Sequence, residues 1–214
     1  MYMKRMITMN KNKVIKCFKK IPTIKTSRLT LRRLMPSDYR DMYEYSCLPE
    51  VTKYLLWHEH ESPEQTFGYL NSINQCYKRG EYYDWAVTLT DGGKMIGTCG
   101  FTSFDFENGR AEVGYVLNPS FWGKGIATEA VSAVIEFAFT ELGANRVEAK
   151  FIEGNTASLK VMEKCSMTFE GYHRQYMMIK GSYKNIGISA ITKDQFVYKN
   201  LYEIKRMGFG FGLF

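Results

Sequence analysis

Polar and apolar residues alternate over residues 28–34, with Leu29 and Leu31 on one side, as they do in a half-buried strand. Pro36-Ser37-Asp38 opens a helix that runs to about Ser46. A second helix starts at Ser62-Pro63-Glu64, with Ser62 as N-cap and Pro63 at the first helical position. Its apolar residues Phe67, Leu70, Ile73 and Tyr77 recur every three or four positions, and Gly80 stops it. Strands over 83–90 and 95–106 flank the turn Thr90-Asp91-Gly92-Gly93, a hairpin signal. A further strand over 110–117 ends at Asn118-Pro119.

A glycine-rich loop leads into a helix over 127–142, whose face is Ala130, Val131, Val134, Ile135, Ala138 and Leu142 and whose C-cap is Gly143. Residues 146–151 form a strand, 155–165 a helix, and 168–176 and 186–191 strands. This order predicts the α+β class: one central, mostly antiparallel mixed sheet with helices on both faces. Beyond about Thr192 the pattern weakens, and residues 207–214 are too rich in glycine for a helix.

The chain of 214 residues suits one domain with short extensions: a basic segment 1–22, a domain 23–195 and a C-terminal segment 196–214. The basic residues Lys4, Arg5, Lys11, Lys13, Lys16, Lys19 and Lys20 have no acidic counterpart in the first 20 positions and account for the whole net charge of +7. A basic arm suits weak contact with RNA or a ribosome; the plainer expectation is a solvated leader, removable without loss of the functional site. The cysteines Cys17, Cys47, Cys76, Cys99 and Cys165 show no CxxC spacing and no histidine at ligand spacing, so no metal site is expected. Their odd number and scatter fit a reducing cytoplasm. No apolar run reaches the roughly 18 residues of a membrane span, and the first 20 residues lack the apolar centre of a secretory signal.

The chemistry concentrates in Ala111–Ala130, which reads strand, tight glycine loop, helix N-terminus. Small residues at Gly123, Gly125 and Ala127 let the backbone approach a diphosphate, and first-turn amides with the helix dipole point at it. A P-loop is excluded because Lys124 lies between the glycines, and a dinucleotide fingerprint because Thr128 stands where its third glycine belongs.

Trp122-Gly123-Lys124-Gly125-Ile126-Ala127 resembles the acyl-CoA motif [QR]xxGx[GA] of GNAT acetyltransferases. That tryptophan and the Thr128-Glu129-Ala130 that follows are similar to the ribosomal-protein (RimJ/RimL-like) branch. Asn155-Thr156-Ala157-Ser158 through Glu163-Lys164 and on to Gly171 resembles that branch's NxxSxxVxEKxGFxxEG, and Thr26 to Arg32 its first strand. The resemblance, over roughly residues 24–195, implies a GNAT fold with two splayed strands and acetyl-CoA as co-substrate.

It also implies roles. Amides at Gly123, Lys124, Gly125, Ala127 and Thr128, next to Trp122 and Ile126, would hold the pyrophosphate, and Tyr115, Val116 and Leu117 the pantetheine arm. A free amide near Val116 or Leu117 would polarise the thioester carbonyl. Asn155 would contact the CoA arm or simply cap its helix. Ser158 would protonate the departing sulfur, because the position of the family's usual tyrosine is Met162. Glu112 is the candidate base, or else an exposed strand carboxylate. His58, His60 and Trp57 fall in a loop on the acceptor side.

The resemblance also shows departures. Ser166 replaces a helix-ending glycine, and Asn185 and Ser189 depart from the branch along the acceptor cleft. The resemblance implies a primary amine as acceptor, either a peptide N-terminus or a small molecule such as a polyamine, aminoglycoside or amino acid. A non-catalytic acyl-CoA-binding module and the choice between monomer and homodimer stay open.

Overall fold

The computed structural model describes residues 9–198. Eight strands form one sheet in the order β1-β2-β3-β4-β5-β6-β8-β7. They are β1 (Ile24–Lys25), β2 (Leu29–Arg32), β3 (Tyr83–Leu89), β4 (Met95–Asp105), β5 (Arg110–Leu117), β6 (Arg146–Ile152), β7 (Thr168–Ile179) and β8 (Ser182–Thr192). Every pairing is antiparallel except β5 with β6.

One face packs against α1 (Lys11–Lys19), α5 (Ile126–Phe137) and α6 (Thr156–Lys164); the other packs against α2 (Tyr39–Ser46), α3 (Pro49–Thr52) and α4 (Pro63–Arg79). The mixed, mostly antiparallel α+β architecture expected from the pattern is the one observed. Period-two burial in β2 and in the first residues of β6 places Leu29, Leu31, Val147 and Ala149 in the main core and leaves their polar neighbours half-buried on the other side.

Local chemistry explains most element ends. Ser62 caps α4 by accepting from the Gln65 amide at 3.2 Å, and Gly80 ends the helix at φ +74°. The last turn after α5, Ala138–Leu142, is π-helical and closes on Gly143 at φ +75°. Ser166, where the related motif has glycine, ends α6 at φ +64°, while its own amide reaches the Glu163 carbonyl at 2.9 Å. A side chain in this region costs about 1 kcal/mol. Ser166→Gly is therefore expected to raise the melting temperature by about 2–4 °C in a thermal scan.

In its described part, residues 9–22, the basic leader is not a solvated tail. Residues 11–19 form α1, capped by Asn10 and packed into the main core through Val14 and Phe18, both fully buried. Phe18 meets Tyr83 and Trp85 edge-on at 5.1 Å each, and the Trp85 indole donates to the Pro22 carbonyl at 2.7 Å. The lysines and Asn12 face water. The strands read as 168–176 and 186–191 extend into a long hairpin that turns at Lys180-Gly181, and α3 and β1 are additional short elements. Residues 193–198 are helical, with Phe196 stacked on Phe139 at 4.9 Å. The Gly- and Phe-rich segment 207–214 lies outside the described residues.

Candidate active site

β5 and β6 run together only from Arg110↔Arg146 to Glu112↔Glu148, although β5 continues to Leu117 and β6 to Ile152. Past those rungs the sheet opens as a wedge. The Asn118 amide donates to the Ile96 carbonyl at 2.8 Å. By strict antiparallel alternation, Val116 and Gly114 also bond to β4, while Leu117, Tyr115 and Val113 turn their amides and carbonyls into the wedge. Of the two amides expected to serve a thioester carbonyl, Leu117's therefore faces the opening; Val116's is committed to β4. The Leu117 carbonyl accepts the Trp122 indole N–H at 2.7 Å, which draws the glycine loop back onto the strand.

That loop is a cradle. Asn118 accepts from the Ser120 amide at 3.0 Å and starts the turn. Gly123 and Gly125 both sit at φ +73°. A Cβ on Gly123 would touch nothing within 4 Å, so conformation, not crowding, calls for glycine there. Gly125 precedes α5 and offers no capping side chain. Among the described residues, the amides of Ile126, Ala127 and Thr128 have no partner; Glu129 is the first to bond back, to the Gly125 carbonyl at 3.1 Å. Three unpaired donors at the positive end of a helix fit a pyrophosphate. The Lys124 ammonium folds onto its own loop, 2.9 Å from the Ser120 carbonyl.

Glu129 braces the cradle from behind. Its carboxylate accepts from the Thr26 hydroxyl (2.6 Å), the Ser27 hydroxyl (3.0 Å), the Arg28 amide (2.9 Å) and Arg28 Nε (2.6 Å). Arg28 Nη1 also donates to the Lys124 carbonyl at 2.9 Å. Partial burial pulls the Glu129 carboxyl upward, but the bonds from Thr26, Arg28 and Ser27 prevail and hold it at about 2. A depressed acid contributes stability above its unfolded value and loses it as pH falls through the folded one, here from about 4 to about 2. If the cradle holds the CoA that the sequence resemblance implies, Glu129→Ala is expected to weaken CoA binding about tenfold in calorimetry without unfolding the chain, since the lost bonds are charge-assisted but part-exposed. Unchanged affinity would separate the brace from the cradle.

The cradle and the wedge border one cavity of about 410 Å³, within the ordinary range for a ligand site. Tyr115, Val116, Leu117, Trp122, Gly123, Gly125, Ile126, Ala127, Thr128, Asn155 and Ser158 all line it. Asn155 caps α6 by accepting from the Ser158 amide at 3.2 Å. The Tyr115 hydroxyl lies 2.7 Å from the Ser158 hydroxyl and 3.0 Å from the Ser158 carbonyl, two alternatives for its single proton. Burial raises the Tyr115 phenol, so it stays protonated at neutral pH. Met162 is buried away from the opening, in the core.

Reading the sequence missed Lys160 and Lys164 on α6 and Glu50, Tyr54 and Leu55 around α3, all on the cavity wall. The two lysines lie one turn apart in the second motif, and that spacing was the available signal.

Glu112 does not line this cavity. It sits on the last paired rung, 2.7 Å from Lys150 Nζ and 3.3 Å from the Ser103 hydroxyl. His60 packs between Trp57 and Tyr69 and bonds to Thr66 at 2.7 Å; burial lowers it toward the neutral form. Asn185 holds the Gln175 amide at 2.8 Å and so fixes a bulge where Gln175 adopts φ +48°. Among the described residues, no group of three or more His, Cys, Asp or Glu is placed to hold a metal, and no helix is long and apolar enough to cross a membrane.

A parallel pair that parts beside a helix-terminal anion cradle is the arrangement that the resemblance in the sequence implies. The acetyltransferase (GNAT) domain family matches residues 28–168. The chain is 37% identical over 174 residues to p20 of Bacillus licheniformis, named as an uncharacterized N-acetyltransferase, a match covering 81% of this chain and 98% of p20. A GNAT-family acetyltransferase structure from Bacillus anthracis superposes with a TM-score of 0.73 at 27% identity, covering 81% of this chain and 99% of that one. RimL, described as a ribosomal L7/L12 α-N-protein acetyltransferase in complex with coenzyme A, shares the fold with a TM-score of 0.69 at 23% identity, covering 81% and 99%. The chain belongs to the GNAT acetyltransferase family and is an N-acetyltransferase.

Proposed function

We propose that the chain transfers the acetyl group of acetyl-CoA directly to a primary amine, and that the amine is a peptide N-terminus. The observation that carries the reading is one cavity lined both by the helix turn with three unpaired amides and by the Tyr115–Ser158 hydroxyl pair. In this reading the amides of Ile126, Ala127 and Thr128 take the pyrophosphate, aided by Gly123, Lys124 and Gly125. The pantetheine arm runs along the wedge beside Tyr115 and Asn155. The Leu117 amide donates to the thioester oxygen as negative charge develops there. The amine nitrogen forms its bond to the carbonyl carbon, the C–S bond breaks, and the electron pair leaves on sulfur. Ser158, backed by Tyr115, gives that sulfur a proton.

The amine must arrive neutral. An α-amine of pKa near 8 is roughly a tenth neutral at pH 7, whereas a lysine amine near 10.4 is far below one percent neutral. Glu112 is already engaged by Lys150 and does not line the cavity, and we assign it only a water-relayed proton from the amine. A site with no carboxylate of β5 on its cavity wall suits an α-amine, and the likeness to RimL, described as an α-N-protein acetyltransferase, supports the same choice.

The test is acetyl-CoA turnover, followed by thiol release with a panel of peptide N-termini beside polyamines, aminoglycosides and amino acids. Release with peptides is expected. Release with small amines alone would move the acceptor to that class. CoA binding with no turnover by any amine would leave a non-catalytic acyl-CoA-binding module.

A further inference from the structure

Among the described residues, part of the chain's excess positive charge gathers around α1 and the end of α4. Lys11, Lys16, Lys19 and Lys20 are exposed on or just after α1, and residues 9–20 contain no acidic residue. Lys13 is drawn aside to the Glu141 carbonyl. The last turn of α4 adds Lys78 and Arg79, and the two helix ends touch: a Cβ on Gly80 would lie 2.6 Å from the Ile15 carbonyl oxygen and 3.2 Å from Lys19 Cγ. Of the acidic residues nearby, Glu81 is engaged by Arg79. None of Lys11, Lys16, Lys19, Lys20 and Lys78 has an ion pair among the described residues.

The face is remote from the cradle, because α1 meets Glu141, just past the far end of α5 from Ile126. The phosphates of CoA therefore do not explain it. A membrane surface fits poorly. Interfacial helices insert an apolar face, and that face of α1, Val14 and Phe18, is already buried in the core. A helix of nine residues held flat against the domain presents nothing to enter a duplex groove. What it presents is a cluster of exposed ammonium groups for a flexible phosphate backbone.

We propose that the α1–α4 lysine face docks single-stranded RNA. The inference stands apart from acetyl transfer, and its test uses no acyl donor. The full chain is titrated into a fluorescein-labelled single-stranded RNA, with anisotropy read over a series of salt concentrations. The comparison is a variant with Lys11, Lys16, Lys19 and Lys20 each changed to Gln, checked for an unchanged thermal transition. The wild type is expected to bind with a steep negative dependence of log K on log salt. The variant is expected to lower that slope by about 3, since each phosphate contact on a single strand contributes roughly 0.7. No binding at low salt, or an unchanged slope in the variant, would overturn the proposal. Equal or tighter binding to duplex DNA, or to anionic phospholipid vesicles, would overturn the choice of partner.

Discussion

Ser158→Ala and Tyr115→Phe are each expected to slow acetyl-CoA turnover by about a hundredfold, and the double variant is expected to be no slower than the worse single one. General acid catalysis contributes typically 10² to 10⁴ in rate. The lower end applies here because a thiol of pKa near 8.5 leaves without much help. The two hydroxyls are 2.7 Å apart and share one proton path. If Tyr115 donates to Ser158 Oγ, the serine proton is free to point into the cavity; if Tyr115 donates to the Ser158 carbonyl at 3.0 Å, that direction is lost. Removing either hydroxyl breaks the same device, so the effects should not multiply. On the proposed reading, in which the cradle at residues 126–128 holds the pyrophosphate, the loss should fall on kcat, with KM for acetyl-CoA nearly constant. Multiplying effects, or a change confined to KM, would assign the pair to substrate binding.

What the sequence reveals about this molecule depends on how far apart the interacting residues lie. The cradle is legible because Gly123, Gly125 and the first turn of α5 are consecutive, and left-handed glycines before a helix have a local physical cause. The strand and helix order is legible for the same reason, since periodicity is local. The wedge enters only through the family resemblance; nothing in the residues of β5 and β6 states that they part after Glu112 and Glu148. The Glu129–Arg28 brace links positions 101 residues apart, and the Tyr115–Ser158 pair links positions 43 apart. No spacing rule reaches so far. Glu112 shows the opposite failure. Its place on the motif strand was read correctly, but its engagement by Lys150 on the neighbouring strand was not visible. In α1 the charge pattern dominated the reading, although Val14 and Phe18, four positions apart, carried the helical stripe.

Phe18→Ala is expected to destabilise the fold by about 3–5 kcal/mol, the usual cost of emptying a buried aromatic site. That is a large part of a stability of about 5–15 kcal/mol. Phe18 is fully buried and packs on Tyr83, Trp85, Phe101 and Phe104, with centroids 5.1 to 6.4 Å away. Truncation would leave a cavity against rigid rings on β3 and β4, which cannot collapse into it. Deleting residues 1–20 should cost at least as much, because it also uncovers the Trp85 face beside Pro22. A solvated leader would predict almost no change for either, so the two views separate in a urea titration. A shift below about 1 kcal/mol for Phe18→Ala would mean that α1 does not hold its place in solution. The cradle lies at the other end of α5 from α1. The folded fraction of the variant at low temperature should therefore bind CoA with wild-type affinity, so that the loss is one of stability and not of the site.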